Sequence, residues 1–386
     1  MFSRPDPIRT NDNAFAHRSM QARVPAILRE MVRLNADLPA ETLDQLHLLA
    51  IGMENDAPIP MIRYPAPDYA DWRSAYLAHD GDTWLNSEWF FAETFVYRHL
   101  IEIVDWFRQG RDPFLPHKQA HYEGSAVWTT LEAALEVREN DRRADEKLHT
   151  LLHLDLWGNS IDLSHPVAAA HGTSRTGEDL LVDQSGALVN YLVDLRPPFQ
   201  VDLMLDNAGT ELALDLALVD LLLDDWAFSV VLHVKQHPTF VSDVVRGDIL
   251  DFLALLRARK ETPLRALGDR LSAAVQEGAI TIRPDWFWNS SRFLWEKHDL
   301  ARLLEGSRLL IAKGDMNYRR MVGDALWEPT TPFNRVVEYV PVPVAALRTL
   351  KSDTIVGLRA GTAERLQRTD PDWRFNGKRG VFAFKR

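Results

Sequence analysis

An apolar run that stops on a carboxylate and an amide is the first feature of this sequence with chemistry in it. Val201-Asp202-Leu203-Met204-Leu205 leads into Asp206-Asn207-Ala208-Gly209 and then into a helical pattern, so Asp206 and Asn207 stand where a strand ends and a helix begins. Their side chains are hard oxygen donors, suited to magnesium, manganese or a similar divalent ion, and capping of the following helix is the other use of such residues. A second apolar run, Phe228 to Val234, is followed by Lys235 to Phe240 and then Val241-Ser242-Asp243. Asp243 therefore lies on the carboxyl side of its strand, where it can approach Asp206 across neighbouring strands. His233 and His237, in or beside that strand, read as hydrogen-bonded core residues and not as ligands.

A third run, Arg308 to Ala312, ends in Lys313-Gly314-Asp315-Met316-Asn317-Tyr318-Arg319. Glycine, a helix start and two cations coincide there, which suits an anion, although a solvated charged turn has the same composition. It is not a phosphate-binding loop of the Walker type, because the upstream glycine and the following Ser or Thr are missing. Arg348-Thr349-Leu350-Lys351 forms a fourth cluster, just before the run Thr354 to Leu358. Asn159 and Asp162, in the segment Leu156 to Asp162, either orient metal ligands from outside or serve a turn built on Gly158.

These clusters need elements to hold them. Up to about Leu152 the pattern is helical: Phe90, Tyr97, Ile101, Val104 and Phe107 recur at helical spacing as one apolar stripe, and Gly110 to Gly124 reads as a loop. Beyond that point short apolar runs alternate with helical patterns. Strands are expected at Val201–Leu205, Phe228–Val234, Ala279–Ile282, Arg308–Ala312 and Thr354–Leu358, and helices at Gly209–Leu223, Gly247–Arg259, Met316–Val322 and Thr362–Arg368. Such alternation implies a three-layer αβα domain over residues 153–386 with a largely parallel central sheet, preceded by an N-terminal helical domain over 1–152. Its ligands belong beyond the carboxyl ends of the strands.

The 386 residues contain no cysteine, which excludes disulfides, thiolate metal sites and thiol nucleophiles. A formal net charge of −11 argues against nucleic acid and anionic membrane as partners, since both need a basic face, but leaves room for a small anion held by local cations. Met1 to Thr10 lacks the apolar stretch of a signal peptide, and the longest apolar run, Leu212 to Leu223, is broken by Asp215 and Asp220. A cytoplasmic protein is the expectation.

The clusters, in this order, resemble the damage-control phosphatase family, in particular its sugar-phosphate phosphatase subfamily with an Arg-Thr-x-Lys motif. The likeness is carried by Trp157-Gly158-Asn159, by Leu205-Asp206-Asn207-Ala208-Gly209 with Glu211, by His233-Val234-Lys235 with Phe240-Val241-Ser242-Asp243, by Lys313 to Arg319, by Pro329 to Phe333 and by Arg348 to Lys351, with Glu93 and Arg98 as further signature residues. The resemblance implies one divalent cation (manganese, magnesium, cobalt or nickel) on Asp206, Asn207 and Asp243, with substrate held by Asp315, Asn317, Tyr318, Arg319, Arg348 and Lys351. Lys313 and Glu211 would stand behind them. The implied activity is hydrolysis of small phosphorylated metabolites such as fructose phosphates. Two other activities compete: S-adenosylmethionine-dependent methylation of protein carboxylates, with Glu211 touching the cofactor, and non-catalytic binding of a phosphometabolite.

Overall fold

The computed structural model describes residues 3–158, 179–195, 199–226 and 229–386. Asn159 and Asp162 lie outside the described residues. Seven strands form one sheet: β1 (Leu180–Asp183), β2 (Gln200–Met204), β3 (Ser229–Lys235), β4 (Ile280–Asp285), β5 (Ser307–Lys313), β6 (Val344–Thr349) and β7 (Gly380–Lys385), in the order β1-β7-β6-β5-β2-β3-β4. All neighbours are parallel except β6 and β7. From β2 the chain first winds outward through β3 and β4, then returns to lay β5 on the other side of β2. The strand order thus reverses between β2 and β5, which opens a crevice at their carboxyl ends.

Side-chain alternation along the strands divides the core in two. Val201, Leu203, Leu309, Ile311, Ala345, Leu347 and Phe382 face one side, where they meet helices that include Ala126–Glu139, Ala144–Trp157 and Thr210–Asp225. Met204, Leu310, Ala312, Val344, Ala346 and Val381 face the other and meet Tyr318, Met321 and Val322 of the helix Gly314–Val322. With both faces covered, the sheet reads as apolar runs, as parallel sheets do. The three layers are those expected from the sequence. The first 114 residues contribute a separate apolar cluster, from Ile8 to Phe114. The helices Ala126–Glu139 and Ala144–Trp157 belong to the sheet's own core, so the apolar clusters do not follow a division at residue 152. Among the described residues no helix is long and apolar enough to cross a membrane.

The structure corrects several local expectations. Thr354–Leu358 is apolar because it is buried, but it is no strand: Val356 N–H donates to the Tyr318 hydroxyl, Gly357 N–H to Thr331 and Leu358 N–H to Pro329. The strand of that region is β6, whose Ala345 and Ala346 carry little β-propensity and are selected by close packing on both faces. Gly110–Gly124 is not all loop either, since Pro116 sits in the first turn of a helix, Leu115–Glu123, where its missing N–H costs nothing. The helix Trp89–Ile103 is buried all round from Trp89 to Ile101, not along one stripe.

That buried helix ties the N-terminal cluster to the sheet. Glu93 accepts from Arg319 at 2.8 Å and also pairs with Arg23, while Arg319 grips Asp324 bidentately at 2.8 Å and lies 3.9 Å over the Trp89 ring. Arg98 grips Asp68 in the same bidentate way. Arg319 was expected on the substrate, yet every polar contact it makes is to the protein. Removing its charge leaves buried Asp324 without its cation and Glu93 with Arg23 alone, a loss that commonly amounts to about 3–5 kcal/mol. Arg319→Met is therefore expected to lower the unfolding free energy by about that much in urea titration, and an unchanged midpoint would show that the network contributes nothing.

Candidate active site

Four neighbouring strands deliver polar residues to one end of the sheet. Asp206 and Asn207 follow β2, Asp243 returns after β3, Gly314 and Asp315 follow β5, and Lys351 lies just past β6. The return of the chain after β3 is pinned by backbone bonds. Val244 N–H donates to Asp206 at 2.9 Å, Ala208 N–H to Ser242 at 2.7 Å, and Asn207 and Asp243 form an antiparallel bridge. A cavity at this end is lined by Asp206, Glu211, Lys313, Gly314, Asp315 and Lys351, with Leu156 and Leu347 as apolar wall.

Contact between Gly314 and Asp206 is close enough to forbid a side chain at the glycine. Gly314 has φ of +80°, and a Cβ there would fall 1.9 Å from Asp206 Oδ2. The glycine of the Lys313-Gly314-Asp315 sequence thus makes room for the Asp206 carboxylate, and the phosphate-cradle reading misses that purpose.

The Asn207 amide donates from Nδ2 to Asp206 Oδ2 at 2.7 Å and to Glu211 Oε2 at 3.0 Å, and its Oδ1 accepts from the Ser242 hydroxyl at 2.6 Å. Glu211, in the first turn of the helix Thr210–Asp225, joins the cluster because it lies one turn beyond Asn207. Asp206, Glu211 and Asp243 are all buried. Burial, then the negative charges of Glu211 and Asp243, push the Asp206 carboxyl well above the usual carboxylate range. Burial raises Asp243 as well, against the pull of Lys235, whose Nζ is 3.2 Å away. Asp206 Oδ1 is buried with no hydrogen-bond partner among the described residues. Mutually repelling acids, a vacant carboxylate oxygen and an amide make a donor set that fits a hard divalent cation. Among the described residues no three His, Cys, Asp or Glu side chains surround a single metal position, so such a cation would depend on the amide of Asn207.

Lys313 also lines the cavity, but its ammonium is shared by Asp155 at 2.5 Å and Asp215 at 2.7 Å; burial disfavours its charge, and those carboxylates outweigh burial and raise its pKa. Asp315 faces the cavity while its Oδ1 accepts from Arg348 Nε, from the Lys351 N–H and from Ser352. Burial opposes the charge of Asp315, but Arg348 and Arg319 overcome it and hold the carboxyl below its usual range. Lys351 is exposed at the rim.

Four residues expected on the substrate are turned into the protein. Asn317 donates to the carbonyls of Leu205 at 3.0 Å and Lys313 at 2.9 Å, joining the ends of β2 and β5. The Tyr318 hydroxyl is buried on Val356, Arg319 is in the Glu93–Asp324 network, and Arg348 is buried on Asp315, Ser352 and Thr354 under the Tyr318 ring. A helix starting at the strand end presents only its first residues to the crevice, and the next turn packs on the sheet. Sequence reasoning missed Asp155, Asp215 and Tyr122, and gave Lys235 and Ser242 no role beyond membership of the signature. Ser242 adjoins Asp243, whereas Tyr122 is remote and reaches the site only because its segment is helical.

With this geometry in view, the family model described as the damage-control phosphatase ARMT1-like domain matches residues 19–366. The chain belongs to that family. It is 29% identical to the damage-control phosphatase ARMT1 of Danio rerio over 97% of this chain and 95% of that one, and 30% identical to that of Xenopus laevis over 81% and 78%. Identity to the Homo sapiens protein is 26% over 96% of both chains. A DUF89 family protein from Pyrococcus horikoshii superposes with a TM-score of 0.48 at 14% identity, covering 96% of this chain and 97% of that one.

The contact of Gly314 with Asp206 can be tested against a matched control. Gly278 has the same φ of +80° but nothing within 4 Å of its Cβ position. Gly278→Ala should cost only the left-handed backbone penalty, about 1–2 kcal/mol. Gly314→Ala should cost clearly more in the same denaturation experiment, and equal losses would mean that Asp206 moves aside freely.

Proposed function

We propose that this member of the damage-control phosphatase family is a metal-dependent phosphomonoester hydrolase for small phosphorylated metabolites, sugar phosphates such as fructose phosphates foremost. The observation that carries the proposal is a small polar cavity lined by buried Asp206 and by Lys351, with half-buried Asn207 and buried Asp243 bridged to each other beside Asp206. Family membership supports it independently.

A phosphate monoester dianion repels nucleophiles, so its hydrolysis needs charge neutralisation and in-line positioning more than covalent assistance. Asp206, Asn207 and Asp243 would hold a cation that, when bound, would supply Lewis-acid polarisation of a phosphoryl oxygen. The protein's own residues do the rest. Lys351 offers a mobile ammonium to the remaining phosphoryl oxygens, and its backbone is set by the Asp315 carboxylate. Asp315, kept ionised by Arg348, accepts hydrogen bonds from substrate hydroxyls on its cavity side. Glu211 holds the Asn207 amide from behind, and the buried Leu156 and Leu347 limit water.

Phosphate release from a panel of phosphometabolites should require an added divalent ion and stop on chelation. Asp206→Asn should abolish it while leaving the melting transition cooperative, and full turnover by that variant with saturating metal would remove Asp206 from the site. Lys351→Met keeps the apolar stem and removes the charge. Its kcat/KM should fall by about 2–4 kcal/mol in transition-state terms, the usual loss for one well-placed donor, whereas an unchanged value would make Lys351 ordinary surface charge.

A further inference from the structure

The turn that carries Asn207 is gripped from two sides by residues outside the ligand set. On one side Ser242 donates its hydroxyl to Asn207 Oδ1 at 2.6 Å, and its backbone carbonyl accepts from Ala208 N–H at 2.7 Å. On the other, the Tyr122 hydroxyl accepts from Gly209 N–H at 2.9 Å, and the His121 ring lies where a Gly209 Cβ would be, at 3.2 Å. Gly209 has φ of +85° and ψ of −138°, a conformation that L side chains avoid, so the turn cannot relax into an ordinary helix start.

The strand of backbone bearing Ser242 is itself strained. Phe240 and Val241 have φ of +48° and +71°, and a β-branched residue in that region is a genuine outlier costing about 1–3 kcal/mol. It is held there by packing of the Phe240 ring on buried Tyr97, with centroids 4.6 Å apart, and by the bond from Asp243 N–H to Thr239. Strain of this kind persists only where surroundings over-determine it, and it clusters where geometry matters for function.

We infer that Ser242 and Tyr122 are positioning residues that preset the Asn207 amide for its cation, an inference that rests on the metal reading above. An amide has two chemically opposite ends, and only the oxygen ligates a metal. Ser242 fixes which end is which: its hydroxyl takes one lone pair of Oδ1 and leaves the second, while Glu211 and Asp206 hold Nδ2. Tyr122 fixes the backbone behind it. Without either, the amide keeps its place in the chain but loses its orientation, which costs affinity for the cation more than it costs stability. Outer partners of metal ligands typically contribute 10–100-fold in affinity.

The test is calorimetric titration of Mn2+ into metal-stripped wild type, Ser242→Ala, Ser242→Thr and Tyr122→Phe, with the melting temperature of each metal-free protein measured alongside. Ser242→Ala and Tyr122→Phe should each weaken Mn2+ by about 10–100-fold, with metal-free melting within a few degrees of wild type, and Ser242→Thr should restore most of the affinity by restoring the hydroxyl. Wild-type affinity in both Ser242→Ala and Tyr122→Phe, or lowered melting with unchanged affinity, would overturn the inference. Should Tyr122→Phe fail to fold, the Ser242 pair decides alone. A wild type that takes up no Mn2+ defeats the metal reading itself, and the inference falls with it.

Discussion

Three carboxylates buried in one crevice set the terms for everything around them. Asp206, Glu211 and Asp243 are each almost fully excluded from solvent, and burial raises the carboxyl of each, with repulsion added from Glu211 and Asp243 on Asp206, from Glu211 on Asp243 and from Asp215 on Glu211. Even at an effective dielectric near 20, two like charges about 4 Å apart repel by about 4 kcal/mol, so full ionisation demands compensation close at hand. The chain supplies a little of it. Lys235 stands against Asp243, and the positive ends of the Asn207 amide N–H bonds point at Asp206 and Glu211. Asp206 Oδ1 still lacks a partner among the described residues. On the metal reading proposed above, a divalent cation would discharge this repulsion in place of protons, and its binding would be driven as much by the relief of the acids as by its own coordination.

The cations nearby are arranged so as not to solve the problem first. Lys313 is close enough to line the cavity, but Asp155 and Asp215 hold it from the two helices Ala144–Trp157 and Thr210–Asp225. Lys118 is held by Asp112 and Asp248, Arg319 by Glu93 and Asp324, and Arg348 by Asp315. These four buried cations are therefore matched to carboxylates outside the acid triad, whereas Lys235 is paired to Asp243 itself and Arg320 lies on the carbonyls of Trp288 and Arg292. Lys351 differs in being exposed at the rim, where a phosphoryl group can reach it. On the function proposed above, a negatively charged protein would thereby present a cation to a phosphorylated substrate without neutralising the acids that would hold a metal.

How much of this was legible in the sequence follows from which physical rules act locally. Strands β2, β3, β4 and β5, and the helices after β2, β3 and β5, could be read because each strand is an apolar run closed by polar turn residues, and Asp206 and Asp243 could be brought together because ligand groups gather at the carboxyl ends of neighbouring strands. What could not be read depended on long-range packing. β6 is rich in alanine, β1 is a four-residue edge strand, and β7 comes last in the chain yet is inserted between β1 and β6, a pairing set by the rest of the sheet. Asn317, Tyr318, Arg319 and Arg348 carried the residue types of a binding site, but their direction depends on how the helix Gly314–Val322 lies on the sheet, which no local pattern specifies. Tyr122 is hidden because Gly110 to Gly124 reads as a loop, whereas Pro116 sits in the first turn of the helix Leu115–Glu123 that carries it.

Glu93 and Arg98 belong to the sequence signature although neither lines the cavity, and their helix explains why. Trp89–Ile103 is buried on every side, so each of its polar residues must find a partner, and each partner becomes a fixed point. Glu93 takes Arg319, on the helix that starts at Gly314; Arg98 takes Asp68; and between them Tyr97 packs on Phe240, at the head of the strained turn that ends in Asp243. One buried helix thus sets the height of two of the four strand-end segments that meet in the crevice. The N-terminal layer is then not an appendage to the sheet but the surface against which Val241 is held in a conformation it would otherwise leave, and the positions of Ser242 and Asp243 follow from that.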